Sequence, residues 1–172
     1  MLAVRRPGEL ALVQGLVLPG GESTTIIRLL RIFDLLEPLR ARIADGLPVY
    51  GSCAGMILLA DKLVPQTSQQ TVGGLHVGVR RNAFGRQVDS FETDLTVKGV
   101  TDPSSPMHAV FIRAPWVEWA ADDVEVLATA LGHPVVVRQG NLLASSFHPE
   151  VTDDLRLHQL LLAIVRDTAG KA

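Results

Sequence analysis

Cysteine occurs once in the 172-residue chain, at position 53. A lone cysteine excludes an internal disulfide framework, and with it the secreted scaffolds that depend on one. Long apolar runs are missing too: none approaches the ~20 residues of a membrane-spanning helix. Neither sign of charge is in excess; the formal net charge is -2 and the pI is near 6.2, which argues against nucleic acid or an anionic membrane as partner. No apolar core follows Arg5 and Arg6, as a secretory signal would require. Internal repeats, low-complexity tracts and linkers are absent. With 47% hydrophobic residues there is enough for one sizeable core. The chain therefore reads as a single domain, residues 1–172, located in the cytoplasm.

The feature that is present in their place is the stretch Pro48-Val49-Tyr50-Gly51-Ser52-Cys53-Ala54-Gly55. A short apolar strand ends at Gly51 and a helical run starts after Cys53. Gly-x-Cys-x-Gly at such a junction is the layout of a nucleophile elbow, with sulfur in place of the commoner hydroxyl. The crowded backbone of a sharp strand-to-helix turn demands small neighbours. The turn lifts the side chain clear of the sheet and sets it at a helix N-terminus, where negative charge is favoured. An isolated cysteine is more often a small buried hydrophobe, so the weight of the pattern depends on what else the chain supplies.

Around the elbow the pattern is that of an α/β protein. Residues 1–11 show little periodicity. Gly15 to Leu18 is a strand stopped by Pro19-Gly20-Gly21, and an amphipathic helix follows, with Ile26, Ile27, Leu29, Leu30 and Phe33 and an N-cap at Ser23 or Thr24. Leu35 to Ala44 reads as a second helix and Ala54 to Leu63 as a buried one behind the elbow. Pro65 to Gly74 is a loop. Strands are expected at 75–81, within 88–97, and at 109–112, 124–130, 135–138 and 142–146, the last two forming a hairpin. Arg81 to Arg86 reads as a basic turn. A C-terminal helix carries Leu157, Leu160, Leu161 and Ile164, capped by Thr152 or Asp153. Early βα alternation followed by clustered strands predicts a central sheet with helices on both faces.

Two further elements complete a chemistry. Phe147-His148-Pro149-Glu150 follows the last strand. An imidazole can deprotonate a thiol, and a carboxylate two residues on can hold that imidazole's tautomer. Taken singly, His148 reads as a loop histidine and Glu150 as an acid near a helix start; the conjunction with Cys53 makes them base and orienter. Donors for a developing oxyanion are available from the backbone N–H of Ala54 and from the Gly20-Gly21 turn, where no side chain obstructs close approach.

Five blocks then match one family in order over nearly the whole chain: Leu18 to Thr25 (LPGGESTT), Tyr50 to Met56 (YGSCAGM), Arg81 to Gly85 (RNAFG) with Gln87 to Phe91 (QVDSF), Phe111 to Pro115 (FIRAP), and Phe147 to Glu150 (FHPE). The sequence resembles the glutaminase subunits of pyridoxal 5'-phosphate synthases, which are class I, triad-type glutamine amidotransferases. The Gly-Gly-Glu-Ser-Thr and Arg-Asn-Ala-Phe-Gly blocks distinguish that family within the class. The resemblance implies a three-layer, flavodoxin-like mixed sheet. It implies that Cys53 attacks the side-chain amide of L-glutamine to form a glutamyl thioester, that His148 shuttles the proton, and that Glu150 orients it. It places Gly21, Glu22, Ser23, Arg81, Ile112 and Arg113 around the substrate, with Gly20, Gly21 and Ala54 at the oxyanion. An arginine meeting the α-carboxylate suits guanidinium geometry. Ammonia passes to a separate synthase subunit in a large hetero-oligomer, and the hydrolysis needs no metal or cofactor. The family pattern also opens with a βα unit of roughly 30 residues ahead of Val4-Arg5-Arg6-Pro7 that this sequence does not carry, and its segment between Asp61 and Gln69 is longer. The expectation is either a longer natural chain or a truncated one with weakened activity and an exposed strand edge.

The alternative reading is a non-catalytic subunit that binds the synthase without hydrolysing glutamine. Other cysteine-elbow hydrolases fit Arg81 and Arg113 poorly. His76, His108, His133 and His158 lack metal-ligand spacing, and Trp116 and Trp119 read as packing residues.

Overall fold

The computed structural model describes residues 2–83 and 90–170. Positions 84–89, which hold parts of the RNAFG and QVDSF blocks and the start of the strand expected within 88–97, lie outside the described residues. In chain order the elements are α1 (Pro7–Leu12), β1 (Leu16–Leu18), α2 (Ser23–Ile32), α3 (Leu36–Ala44), β2 (Val49–Ser52), α4 (Ala54–Leu59), β3 (Ala60–Val64), β4 (Leu75–Arg80), β5 (Ser90–Leu95), β6 (Met107–Ile112), β7 (Trp116–Ala120), β8 (Glu125–Ala130), β9 (His133–Gln139), β10 (Leu142–Ser145), a 3-10 turn (Pro149–Val151) and α5 (Arg156–Ala169).

Among the described residues these strands form three sheets: five strands in the order β1-β2-β10-β9-β8, three in the order β3-β4-β7, and the hairpin β5-β6. In the large sheet β1, β2 and β10 run parallel, whereas β9 is antiparallel to β10 and β8 to β9. β1 and β8 are its edges. Successive residues of its inner strands point to opposite faces, as strand geometry requires. Val49, Leu142, Ala144 and Val137 join Leu10 of α1, Ile27 of α2, Leu39 of α3 and Leu58 of α4 in one core. Tyr50, Leu143 and Val136 join Phe111 of β6, Phe147, and Leu157 and Leu161 of α5 in the other. Helices thus cover both faces. Each fully buried leucine contributes roughly 1.5–3 kcal/mol of burial, so neither face is stable without its cover.

Several local expectations are corrected. The unpatterned N-terminus contains α1, started by Pro7 at its first position and by a Glu9 carboxylate that accepts from Arg5 N (2.6 Å) and Arg6 N (3.0 Å). Six residues are too few for a helical period to register. The helix expected over 54–63 stops at Leu59, because Lys62 to Val64 pair with Gly78 to Arg80 as β3. Ladder pairing outweighs the helix propensity of so short a run. Trp116 to Ala120 is a strand, with Val77 to Arg80 of β4 as partner. Ser23 and Thr24 do not cap α2. Glu22 does, its carboxylate accepting from Thr25 N at 3.0 Å. Neither Thr152 nor Asp153 caps α5; Asp154 accepts from Arg156 N at 3.0 Å instead.

Candidate active site

The parallel strands β1, β2 and β10 end side by side, and the chain leaving each carries one part of the site. After β1 come Gly20 and Gly21, after β2 Cys53, and after β10 His148. Loops at the carboxyl ends of parallel strands are where open α/β sheets bind ligands.

Cys53 occupies the turn between β2 and α4 with φ 48° and ψ -101°, a backbone conformation that costs a non-glycine residue ~1–3 kcal/mol. Its neighbours explain how the turn is held. The Cys53 N–H donates to Ser145 O at 2.8 Å, continuing the β2-β10 pairing by one residue. A β-carbon on Gly51 would sit 2.6 Å from the carbonyl oxygen of Gly55, and one on Gly55 would overlap the carbonyl of Leu18 in β1. The two glycines of Gly-x-Cys-x-Gly therefore let α4 close onto its own strand and onto the neighbouring one. Ala54, first residue of α4, is fully buried, and its N–H belongs to the helix turn that lacks carbonyl partners one turn back.

His148 lies beside this turn. Its backbone N–H donates to Val110 O of β6 at 3.0 Å, which docks the loop after β10 against β6. Its Nδ1 faces Glu150 Oε1 at 2.8 Å, with the buried Pro149 between them in the 3-10 turn. The imidazole is pushed up to about 9, first by its hydrogen bond with Cys53 and then by Glu150, against the opposing loss of hydration. The ring is thus hydrogen-bonded to the carboxylate on one side, while Cys53 acts on its titration from the end of the neighbouring strand. Gly20 packs against it: a β-carbon there would lie 2.6 Å from His148 Cε1 and 2.9 Å from Nδ1. Gly20 therefore has a structural reason beside the donor role expected of it, since any side chain would displace the histidine. Gly21 has φ +134°, open to glycine and strained for other residues.

A second group forms alongside. Arg81 donates through Nη2 to Glu22 Oε1 (3.1 Å) and through Nη1 to Gln69 Oε1 (2.6 Å), and Gln69 Nε2 donates to Ser23 Oγ (3.0 Å). Glu22 is held below the usual carboxylate range by the Thr24 hydroxyl first, then by the N–H groups of Thr25 and Thr24 and the Arg81 charge. Glu22, Ser23 and Arg81, far apart in sequence, are hence one network. Ala83 N donates to Ala114 O at 3.0 Å, tying the turn after Arg81 to the segment that follows β6. Ile112 ends β6 with its side chain partly exposed, and Arg113 turns the chain with φ 44°. Both lie two to three residues beyond Val110, the anchor of His148. Gln69 was not distinguishable in the sequence; it sits in a loop with Gln66 and Gln70 and no period marks which of the three faces inward.

The other histidines are engaged elsewhere. His76 pairs with Asp123 (2.8 Å), His108 with Asp94 (2.9 Å) and Glu92 (3.1 Å), His133 stacks on Trp116 with centroids 3.7 Å apart, and His158 meets the Tyr50 ring edge-on. Among the described residues no three His, Cys, Asp or Glu side chains converge as a metal site, and no helix is long and apolar enough to cross a membrane.

Comparison with known proteins agrees with this architecture. A crystal structure of a glutamine amidotransferase superposes with a TM-score of 0.88 at 47% identity, covering 94% of this chain and 84% of that one. The fold is thus that of a class I glutamine amidotransferase. Residues 1–167 match the SNO glutamine amidotransferase family, and the chain belongs to that family. The pyridoxal 5'-phosphate synthase subunit PdxT of Parafrankia sp. (strain EAN1pec) is 67% identical over 168 residues, 97% of this chain and 82% of that protein. The subunit of the same name from Mycobacteroides abscessus is 63% identical over 166 residues, 96% and 84% respectively.

Proposed function

We propose that this chain is the glutaminase component of a pyridoxal 5'-phosphate synthase, hydrolysing L-glutamine to L-glutamate and ammonia. The observation that carries the reading is that Cys53 and His148 follow adjacent parallel strands, β2 and β10, with the His148 imidazole hydrogen-bonded to Glu150 and its affinity for a proton raised chiefly by Cys53. The names of the relatives supply the pathway.

The reading assigns these steps. Glutamine lies with its α-ammonium toward Glu22 and its α-carboxylate toward Arg81 and Arg113, with Gly21, Ser23 and Ile112 around it. Cys53 Sγ attacks the side-chain amide carbon. The thiol proton passes to His148, whose raised pKa suits it to keep that proton until the leaving nitrogen takes it. With Nδ1 committed to Glu150, Nε2 is the nitrogen that exchanges protons. The amide oxygen gains the electron pair and is held by the N–H of Ala54 and by the Gly20-Gly21 turn; removing one such donor costs about 3–4 kcal/mol of transition-state stabilisation. Collapse expels ammonia and leaves a glutamyl thioester. Water, deprotonated by His148, then releases glutamate and restores the thiol. No step calls on a metal or cofactor. Ammonia goes to a synthase subunit, the partner in a large hetero-oligomer in the cytoplasm.

The test is glutamate release from glutamine, with and without a synthase subunit, by the wild-type chain and Cys53→Ala. Turnover by wild type that the substitution abolishes is expected. Synthase binding without any hydrolysis by wild type would favour a non-catalytic subunit, a reading that leaves the assembled Cys53, His148 and Glu150 without a purpose.

A further inference from the structure

Gln69 belongs to neither the nucleophile nor the base, yet it is the residue through which the two ends of the Glu22, Ser23, Arg81 network are joined. Its side-chain oxygen accepts from Arg81 Nη1 at 2.6 Å and its nitrogen donates to Ser23 Oγ at 3.0 Å. The assignment of oxygen and nitrogen follows from chemistry, because a guanidinium only donates. The loop that carries it is fastened on both sides. Gln69 N donates to Thr67 Oγ1 (3.2 Å). Beyond it, Val72 N and Gly73 N donate to Leu58 O of α4 (2.8 and 3.1 Å), Arg40 of α3 donates to the carbonyls of Thr71 and Val72, and Gly74 N donates to Asp61. The amide is therefore presented by a braced loop.

We infer that Gln69 is a positioning residue for substrate binding, which holds the Arg81 guanidinium in place for an α-carboxylate. This rests on the glutaminase reading above. Among the described residues Arg81 donates to Glu22 and to Gln69. An amino-acid zwitterion brings an ammonium that competes for Glu22, so Arg81 loses that anchor when substrate arrives. Gln69 is the anchor that remains. As a neutral acceptor it fixes one Nη while leaving the positive charge unspent, and the second Nη is free for the carboxylate. Its donor end simultaneously fixes Ser23, which is 2% exposed, at the start of α2. An amide serves both needs at once. A carboxylate would satisfy the arginine but neutralise it, and an apolar side chain would do neither.

The experiment compares wild type, Gln69→Leu and Gln69→Glu as full chains with the synthase subunit, measuring kcat and KM for glutamine and the thermal midpoint of each. Loss of a hydrogen bond to a charged group is expected to raise KM for glutamine about tenfold in Gln69→Leu. Gln69→Glu is expected to raise it further, by charge competition with the substrate carboxylate, while kcat stays within about threefold in both. Unchanged KM in both variants, or Gln69→Leu the worse of the two, overturns the inference. So does a drop of more than ~5 °C in Tm with loss of kcat, which assigns Gln69 to the fold. Wild type that releases no glutamate with the synthase present removes instead the glutaminase reading beneath it.

Discussion

The α-carbon of Gly55 is pressed against the main-chain carbonyl of Leu18, so closely that a methyl group would overlap the oxygen. Leu18 ends β1 and Gly55 is the second residue of α4, so this contact sets the distance between the elbow helix and its neighbouring strand. Gly55→Ala is expected to destabilise the chain by about 1–3 kcal/mol, the usual cost of overpacking, because the obstacle is backbone and cannot rotate away. Glutaminase activity is expected to fall with it, since the shift moves Cys53. Urea denaturation of the variant against wild type checks the first, and an unchanged midpoint would refute the contact's role.

His148 titrates high chiefly because of Cys53. In Cys53→Ala its pKa is expected to fall from about 9 toward the ordinary value near 6.5, and in Glu150→Gln by a smaller step. NMR titration of the imidazole reads both directly; a His148 pKa that stays high in Cys53→Ala would contradict the assignment.

The same shift makes stability depend on pH. The folded chain binds the His148 proton more tightly than the unfolded one, so the stabilisation is fully present below about pH 6.5 and is lost as pH rises through about 9. The stability difference between wild type and His148→Gln is therefore expected to shrink across that window. Denaturation midpoints of the pair at pH 6 and pH 9.5 test the sign.

Arg156 is a clamp at the start of α5. It donates to the carbonyls of Asp102, Ser105 and Pro106 at 3.0, 2.7 and 3.0 Å and pairs with Asp154 at 2.6 Å. Arg156→Ala removes these bonds, and because the carbonyls are exposed and water replaces the donor, the expected cost is about 0.5–1.5 kcal/mol. Arg156→Lys should recover only part of it, since an ammonium cannot reproduce the planar fork. Thermal unfolding ranks the three chains; a lysine variant equal to wild type would show that charge alone suffices.

Tyr50 and Ser145 exchange a buried hydrogen bond of 2.8 Å across β2 and β10. Tyr50→Phe is expected to cost about 1 kcal/mol. Ser145→Ala in addition should cost less than the sum, because both substitutions remove the same bond. Additive effects in a double-mutant cycle would show that the bond contributes nothing.

How much of this was legible in the sequence depends on distance along the chain. Gly51, Cys53 and Gly55 could be read as one turn because their interaction is local, and so could the pair His148 and Glu150. That the turn is held together by Leu18 and Ser145 was not legible, since no pattern within a single strand names its neighbours. α4 shows the same limit from the other side. Met56 to Ala60 are apolar and Leu63 follows at helical spacing after Asp61 and Lys62, so only the partner strand β4 decides where helix gives way to β3. Trp116 to Ala120 shows no polar–apolar alternation, and its pairing with β4 is what makes it a strand. Gln69 is the extreme case, a residue whose role comes from three contacts, two of them with residues 12 and 46 positions away, in a loop of similar side chains.

The last strand in sequence, β10, is a central one, flanked by β2 and β9. The thiol is in place by residue 53, but its base follows a strand that is synthesised about ninety residues later and must insert between two others. A nascent or prematurely ended chain thus presents a cysteine with no proton acceptor beside it. Reactivity arrives only with completion of the sheet, so the order of translation itself withholds the chemistry until the fold is finished.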